Sequence, residues 1–280
     1  MRYAIKTSPQ HTTWADLLAV WQAADEIDLF ESAWTFDHFY PIFSDDSRGP
    51  CLEGWSTLTA LAQATQRIRV GCLVTGTPYR QPAAFANLVA TVDVISDGRL
   101  ELGLGAGWNE EESGAMGIDL APTWTERFDR FEEVLEVLTR LFTGRPVSFD
   151  GRHHQLRDAV LNPVSVQQPH PPICIGGTGE RRTLPLAARF AQHWNYPGFD
   201  TDGFVQKRDA LAAACAAVHR DPAEIMTSMH VPVPVADLAA LIPTMEAHAA
   251  AGLDLAILYL PAPHRPEVVA ELADVLRRAL

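Results

Sequence analysis

The sequence predicts one α/β domain, a (β/α)8 TIM barrel that includes residues 1–280. Segments with strand and helix patterns alternate about eight times along the chain, which suits a closed barrel better than an open doubly wound sheet. The run 68–74 is almost continuously apolar, as expected of a parallel strand that is buried on both faces. No G-x-G-x-x-G motif follows the first strand, which disfavours the open sheet.

The first half of the chain supplies four strand–helix units. Trp14, Leu17 and Trp21 recur at helical spacing, which predicts an amphipathic helix. Leu100 and Leu102 alternate with polar or small residues, the pattern of a strand. On the same grounds we predict strands at 2–6, 31–36, 68–74 and 100–104, and helices at 13–28, 55–66, 82–95 and from residue 110 onward.

A long helix and an insertion separate the fourth strand from the fifth. An apolar stripe predicts a helix over 123–142, which Gly144 ends. The proline-rich residues 144–172 break the alternation, and apolar side chains such as Phe149 and Leu156 predict an ordered insertion beside the site. The alternation then resumes with strands at 173–175, 193–196, 225–231 and 253–259, and helices at 180–191, 203–219, 237–251 and 266–280.

Composition and charge exclude several functional classes. The formal net charge of -13 argues against a protein that binds nucleic acid or anionic membranes. No run reaches the ~18 apolar residues of a membrane span, and the N-terminal residues lack the order of a secretory signal. The four cysteines are scattered, and His153–His154 has no third ligand at metal spacing. We therefore expect reduced thiols in the cytoplasm, without disulfides or a bound metal.

Two glycine loops follow predicted strands, where a barrel places its active site. Gly105–Gly107 lets a ligand approach the backbone, and the adjoining Trp108 and Asn109 suit a flat polar ring. Gly176–Gly179, followed by Arg181 and Arg182, offers backbone N–H groups at a helix N-terminus, which favours a phosphate. Plain βα turns without a ligand are the alternative interpretation of both loops.

Polar residues follow the second and third strands. His38, beside Asp37, exchanges a proton near neutral pH, so it could be a general acid or base or a hydrogen-bond donor to a ring. A loop histidine satisfied by local backbone is the alternative. Thr75 could bond a ring carbonyl or cap the next helix. Glu110–Glu112 is interpreted as a solvated helix start.

The motifs together resemble the luciferase-like monooxygenase superfamily and, within it, the oxidoreductases that use coenzyme F420, a 5-deazaflavin. The resemblance rests on FDHF at 36–39, TGTPYRQP at 75–82, DGRLELGLGAGWNEEE at 97–112, the helix at 128–142 and PPICIGGTGERRTLPLAARFAQHWN at 171–195. These segments cover most of the chain in the order of the family.

The resemblance implies a barrel that holds the cofactor ring at the strand ends. Asp37 and His38 match the pair that meets the ring, and the end of the third strand, with Val74, matches a place where the family often has a non-proline cis peptide. The remaining positions implied for the ring, the tail or the phosphate are Thr75, Gly107, Asn109, Gly176, Gly177, Thr178 and Gly179.

We therefore expect coenzyme F420 as cofactor, and hydride transfer between the deazaflavin C5 and a small organic substrate, with His38 as the catalytic proton partner. Trp34, Trp108 and Trp194 are predicted to form an apolar rim around the substrate, and loops 40–54 and 144–172 to line its pocket. Sugar-phosphate dehydrogenases of this group carry Glu where this chain has Trp108, which argues against a sugar phosphate.

Two alternatives stay open at this point: an FMN-dependent luciferase-like monooxygenase, and a cofactor-binding barrel without turnover. Family members commonly pair, so a homodimer is a further expectation.

Overall fold

A computed structural model describes residues 1–279, whose parallel strands form a closed eight-stranded barrel in the order β1-β10-β9-β8-β7-β4-β3-β2. This confirms the predicted fold class. The barrel strands are β1 (Arg2–Thr7), β2 (Phe30–Thr35), β3 (Arg69–Gly76), β4 (Leu100–Gly105), β7 (Ile173–Gly176), β8 (His193–Tyr196), β9 (Met226–Pro232) and β10 (Leu255–Leu260). The labels β5 (Val147–Asp150) and β6 (Gln155–Ala159) belong to a separate antiparallel hairpin.

Helices surround the barrel, and their ends agree with the expected ones to within a few residues. They are α1 (Trp14–Asp25), α2 (Gly54–Ala64), α3 (Pro82–Ile95), α4 (Glu110–Ala115), α5 (Trp124–Leu141), α6 (Thr183–Phe190), α7 (Thr201–Ala217), α8 (Leu241–Ala250) and α9 (Pro266–Ala279). Side chains of Thr13, Gln81 and Thr123 cap α1, α3 and α5, satisfying N–H groups that a helix start leaves free. The predicted end of the last helix, Leu280, lies outside the described residues.

The alternation of side chains along each strand separates two apolar layers. Tyr3 and Ile5 of β1 belong to the large core between the barrel and its helices. Ala4 belongs with Trp34 and other residues to a smaller cluster that fills the barrel interior. Gly71 makes room for Trp34, since a Cβ at that glycine would lie 2.4 Å from the indole ring.

The insertion 144–172 lies outside the barrel and away from the strand ends that carry the glycine loops. Its hairpin packs on α5, where the Glu133 carboxylate accepts hydrogen bonds from the backbone N–H groups of residues 152–154. Further along, Gln167 donates to Asp93 and to the carbonyl of Leu100, at the beginning of β4. The expectation that residues 144–172 line the substrate pocket is therefore wrong, because their polar anchors hold them against α5 and the opposite end of β4.

Within residues 1–279, no helix combines the length and the apolar character needed to cross a bilayer.

Candidate active site

A cavity of about 720 Å³ lies at the C-terminal ends of the barrel strands, and every barrel strand or the loop that follows it contributes to the wall. The glycine loops and the Asp37–His38 pair meet here, as the barrel prediction requires. The lining residues are Lys6, Phe36, Asp37, His38, Ile42, Phe43, Leu73, Val74, Gly76, Tyr79, Gly105, Ala106, Gly107, Trp108, Trp124, Phe128, Gly176, Gly177, Thr183, Asn195, Pro197, Phe199, His230 and Tyr259.

His38 is held in one orientation by a buried carboxylate. Its Nδ1 lies 2.7 Å from Oε2 of Glu112, whose side chain is fully buried. An ionised carboxylate only accepts hydrogen bonds, so Nδ1 is the donor and Nε2 is left to exchange a proton. Within the described residues 1–279, Nε2 has no hydrogen-bond partner, and His38 lines the cavity. The geometry is that of a general acid or base with an orienting carboxylate.

Glu112 also accepts hydrogen bonds from the backbone N–H of Phe39 at 2.6 Å and from the Tyr79 hydroxyl at 3.0 Å. Burial alone would raise the pKa of Glu112, but these bonds and the one from His38 outweigh it and lower the pKa. Interpreting Glu112 as part of a solvated helix start is therefore wrong. Three adjacent acids look alike in sequence, and only the helix phase distinguishes buried Glu112 from exposed Glu110 and Glu111.

Asp37 lines the cavity but its carboxylate is bound by a guanidinium. Arg80 donates to both oxygens, at 2.5 and 3.0 Å, and also to Glu53. Burial raises the pKa of Asp37, and the bonds from Arg80 oppose that change. Asp37 thus fixes the loop that carries His38 against the segment that follows β3.

The glycine loops form a wall without side chains on one side of the cavity. Gly107 has φ +81° and Gly177 has φ +126°, values that side-chain-bearing residues rarely adopt. Thr178 and Gly179 lie beyond the lining part of the loop. The N–H of Gly177 donates to the carbonyl of Asn195, whereas those of Thr178 and Gly179 have no backbone partner within residues 1–279.

Of the two arginines predicted beside this loop, Arg182 is neutralised, whereas Arg181 is exposed and, within residues 1–279, lies in no ion pair. Arg182 donates to Asp129 at 2.6 Å, which ties it to α5. The loop therefore offers an anion its backbone N–H groups and the start of α6, with the exposed Arg181 nearby in the chain.

The end of β3 bulges toward the cavity. The β3–β4 register shifts between Cys72 and Thr75, and the Leu73–Val74 peptide is cis. Val74 lines the cavity as expected, but the Thr75 side chain does not. Its hydroxyl is buried and accepts a hydrogen bond from the Trp55 indole at 2.8 Å, so the expected contact of this side chain with a ring is wrong.

Asn109 also has a structural task that the sequence did not reveal. Its side-chain oxygen caps α4 by accepting from the N–H of Glu112 at 3.1 Å, and the residue is not among those that line the cavity. Asn109 thus supports Glu112, and through it His38, instead of contacting a ligand directly.

Of the three tryptophans expected at the rim, only Trp108 lies there. Its ring stacks on Phe43, with centroids 5.5 Å apart and an interplanar angle of 6°. Trp34 points into the barrel interior below the cavity, so the rim prediction is wrong for it. It is also wrong for Trp194, because β8 turns Asn195 inward and packs Trp194 outward on Phe204.

Other lining groups were missed from the sequence. Trp124 and Phe128 of α5, and Phe199 after β8, complete the apolar wall. Lys6 and His230 form a polar floor. The sequence could have identified both residues, since each is polar and lies near the C-terminal end of a barrel strand, where side chains face the site.

The sequence is similar to those of several known enzymes. The chain is 30% identical over 206 residues to the F420-dependent glucose-6-phosphate dehydrogenase of Amycolatopsis mediterranei, covering 73% of this chain and 57% of that protein. It is 31% identical over 207 residues to the F420-dependent hydroxymycolic acid dehydrogenase of Mycobacterium tuberculosis, covering 74% of this chain and 55% of that protein. The matched region thus spans a little over half the length of each of these relatives.

A solved structure shares the whole fold. An F420-dependent secondary alcohol dehydrogenase, in complex with an F420-acetone adduct, superposes with a TM-score of 0.85 at 19% identity, covering 100% of this chain and 98% of that one. The family model described as luciferase-like monooxygenase matches residues 1–279. This chain belongs to the luciferase-like monooxygenase family.

Proposed function

We propose that this protein is a coenzyme F420-dependent oxidoreductase that transfers a hydride between the deazaflavin C5 and a small organic substrate. The observation that carries the proposal is the His38–Glu112 pair, because it leaves one imidazole nitrogen open to a large cavity. The names of the relatives in Amycolatopsis mediterranei and Mycobacterium tuberculosis support F420 as the cofactor.

The cavity fits a flat tricyclic ring with an anionic tail. Gly105–Gly107 and Gly176–Gly177 leave one wall free of side chains, and Val74 faces the same space. A Cβ at Gly177 would lie 3.1 Å from the Thr183 side chain, at the opening of the loop. We infer that these residues hold the ring, and that the N–H groups of Thr178 and Gly179 hold phosphate oxygens of the tail.

His38 performs the proton transfer of the reaction. When bound, the deazaflavin supplies a ring carbon that accepts or returns a hydride. In the oxidation of an alcohol, Nε2 of His38 takes the hydroxyl proton as the carbon loses its hydride; in the reverse direction it returns that proton. The negative charge of Glu112 stabilises the imidazolium that forms.

The remaining wall favours an apolar or aromatic substrate. Trp108, Phe43 and Trp124 surround the mouth, and Phe128 and Phe199 extend the apolar surface. Among residues 1–279, Lys6 is the only lysine or arginine that lines the cavity. A sugar phosphate, which needs several cations around its phosphate, is therefore disfavoured.

We also infer a reducing, cytoplasmic setting and a small molecule as the partner. Cys72, Cys174 and Cys215 are buried, Cys51 is half-buried, and all are free thiols. A homodimer remains a prediction from the family resemblance.

Titration with F420 and with FMN, each followed by fluorescence, tests the cofactor. We expect a colourless purified protein that binds F420 at micromolar concentration or tighter and consumes no oxygen with reduced FMN. A yellow protein with stoichiometric FMN and oxygen uptake on reduction would favour the monooxygenase. F420 binding without turnover of any alcohol or ketone would favour the non-catalytic barrel.

Gly177→Asp locates the binding site within the same titration. The new carboxylate meets Thr183 and repels an anionic tail, and φ +126° strains the backbone. Gly117→Asp is the matched control, because φ there is also positive, +70°, and a Cβ meets nothing within 4 Å. We expect strong loss of F420 affinity for the first variant and little for the second.

A further inference from the structure

Lys6 is a buried cation on the floor of the cavity. It is 6% exposed, and its Nζ donates to the carbonyl of Leu73 at 3.0 Å. Nζ also lies 3.3 Å from Nε2 of His230 and 5.2 Å from the centroid of the Tyr259 ring. Within residues 1–279, no carboxylate comes within ion-pair distance of Nζ.

The ammonium group has one donor to spare. Of its three N–H bonds, one is used by Leu73 and one can be accepted by His230. Burial and the nearby Lys6 lower the pKa of His230 well below its usual value, so its ring is neutral and can accept. Among the described residues the third N–H has no acceptor, and Lys6 lines the cavity.

Such an arrangement is costly without a ligand. A buried charge is normally paired, because desolvation costs several kcal/mol that only an opposite charge or strong hydrogen bonds offset. Burial lowers the pKa of Lys6 to about 8, which still leaves the amine mostly protonated at neutral pH. The cost of burying this charge without a carboxylate points to a ligand that pairs with it.

We propose that Lys6, supported by neutral His230, is a binding site for a negatively charged oxygen of the ligand in the cavity. The oxygen belongs either to the polar edge of the cofactor ring or to an anionic or polarised oxygen of the substrate. The assignment to cofactor or substrate rests on the proposed function; the oxyanion site does not.

The groups that face Lys6 are neutral at pH 7. Burial raises the pKa of the Tyr259 phenol, and it raises the pKa of the Cys72 and Cys174 thiols far more. Tyr259 is further engaged by the Ser8 hydroxyl. Lys6 is thus the group of this cluster that carries charge, and an oxyanion would meet no competing negative side chain there.

The buried acid deeper in the barrel, Glu101, already has its own partners. His193 bonds Glu101, which is also bound by Arg69. Burial is the largest cause of the lowered pKa of His230, and the nearby Lys6 adds to it.

Lys6→Met tests the proposal, since methionine keeps most of the length of the side chain and removes the charge. We expect a higher Tm for the ligand-free variant than for wild type at pH 7. The free energy of unfolding of wild type should rise between pH 8 and 10.5, where the unfolded chain binds a proton that folded Lys6 has lost; the variant should lack this rise. Lys207→Met, at an exposed ion pair with Glu180, is the matched control.

Measurements of ligand binding distinguish an oxygen of the cofactor ring from an oxygen of the substrate. Fluorescence titration with F420 and thermal-shift titration with benzoate, a flat carboxylate, are compared in wild type and Lys6→Met. A loss of F420 affinity of about 10-fold or more assigns Lys6 to the ring; loss of the benzoate shift alone assigns it to the substrate. If wild type bound no F420, the proposed function would fail, and the benzoate titration would still decide on the oxyanion site.

Equal affinities of wild type and Lys6→Met for both ligands would overturn the proposal. A lower Tm for the variant together with unchanged affinities would show that Lys6 only holds the carbonyl of Leu73.

Discussion

The barrel contains two histidine–carboxylate pairs, and they differ in whether the second ring nitrogen of the histidine has a hydrogen-bond partner. His193 in the interior uses both ring nitrogens: Nδ1 lies 3.2 Å from Glu101 and Nε2 lies 2.6 Å from the Ser228 hydroxyl. His38 at the strand ends uses only Nδ1, on Glu112, and its Nε2 has no partner within residues 1–279. The saturated pair can only hold the fold together, whereas the unsaturated pair can also exchange a proton with a ligand.

The comparison shows that a histidine beside an acid does not by itself mark a catalytic residue. Both acids are buried, and in both the bonds they accept lower the pKa despite burial. What separates the pairs is the second nitrogen and its access to a cavity.

The largest effect should follow removal of the free nitrogen. We expect His38→Ala to lower kcat by about 10²–10⁴-fold, the usual contribution of a general acid or base, with little change in F420 affinity. The Tm should also fall, because buried Glu112 loses its bond to His38 and keeps those from Phe39 and Tyr79. His154→Ala is the control, since His154 pairs with Glu133 on the hairpin, away from the cavity. Unchanged kcat in steady-state kinetics would remove His38 from the proton transfer.

Removing the histidine of the interior pair should lower the stability of the fold. His193→Ala removes one hydrogen-bond partner from buried Glu101, which keeps Arg69, and one from Ser228, which keeps Asn195. We therefore expect the free energy of unfolding to fall by about 1–3 kcal/mol. Urea denaturation followed by circular dichroism measures this change. A variant with normal stability but greatly reduced kcat would mean that the saturated pair also acts in the reaction.

A smaller effect is expected from the orienting acid. Glu112→Gln keeps an acceptor for His38 but removes the charge that stabilises its protonated form, so we expect kcat to fall by about 10–100-fold. Glu111→Gln, an exposed neighbour on the same helix, should leave kcat unchanged. Equal losses in the two variants would place the effect in α4 as a whole.

The smallest effect is the acid dependence that both pairs share. The pKa of Glu101 and that of Glu112 are lower in the folded state than the usual 4.5, so the unfolded chain binds more protons below that pH. Stability is thus full above 4.5 and falls as the pH drops through the folded-state values. Glu101→Gln and Glu112→Gln should each reduce this fall; an unchanged acid slope in either variant would contradict the pairing.

Much of the fold was predictable because strand and helix periodicity is local. The apolar runs at 68–74 and 173–175 gave barrel strands, and Pro82 and Gly144 marked helix ends. His38 and the glycine loops were also predictable, since barrel topology brings strand ends together. These features depend on neighbours in the chain or on a single topological rule.

The missed residues depend on packing between distant segments. Glu112 differs from Glu111 only in its position around the helix. The Thr75 side chain does not line the cavity, because its hydroxyl accepts a hydrogen bond from the Trp55 indole. Trp194 faced outward because a strand alternates its side chains. Lys6 was visible in the sequence as a charged residue at an inward-facing position of a barrel strand. The apolar periodicity of the strand does not explain such a residue, so the pattern alone gives it no role.

The closure of the barrel by pairing of β1 with β10 has a consequence for how the protein is made. The contact between Lys6 and His230 joins residues 224 apart in sequence, and the one between Ser8 and Tyr259 joins residues 251 apart. During synthesis, His38 and Glu112 leave the ribosome long before the floor of the cavity exists. Because contacts of such long range form slowly, the edge of β1 that faces β10 stays unpaired in the nascent chain until β10 has been synthesised.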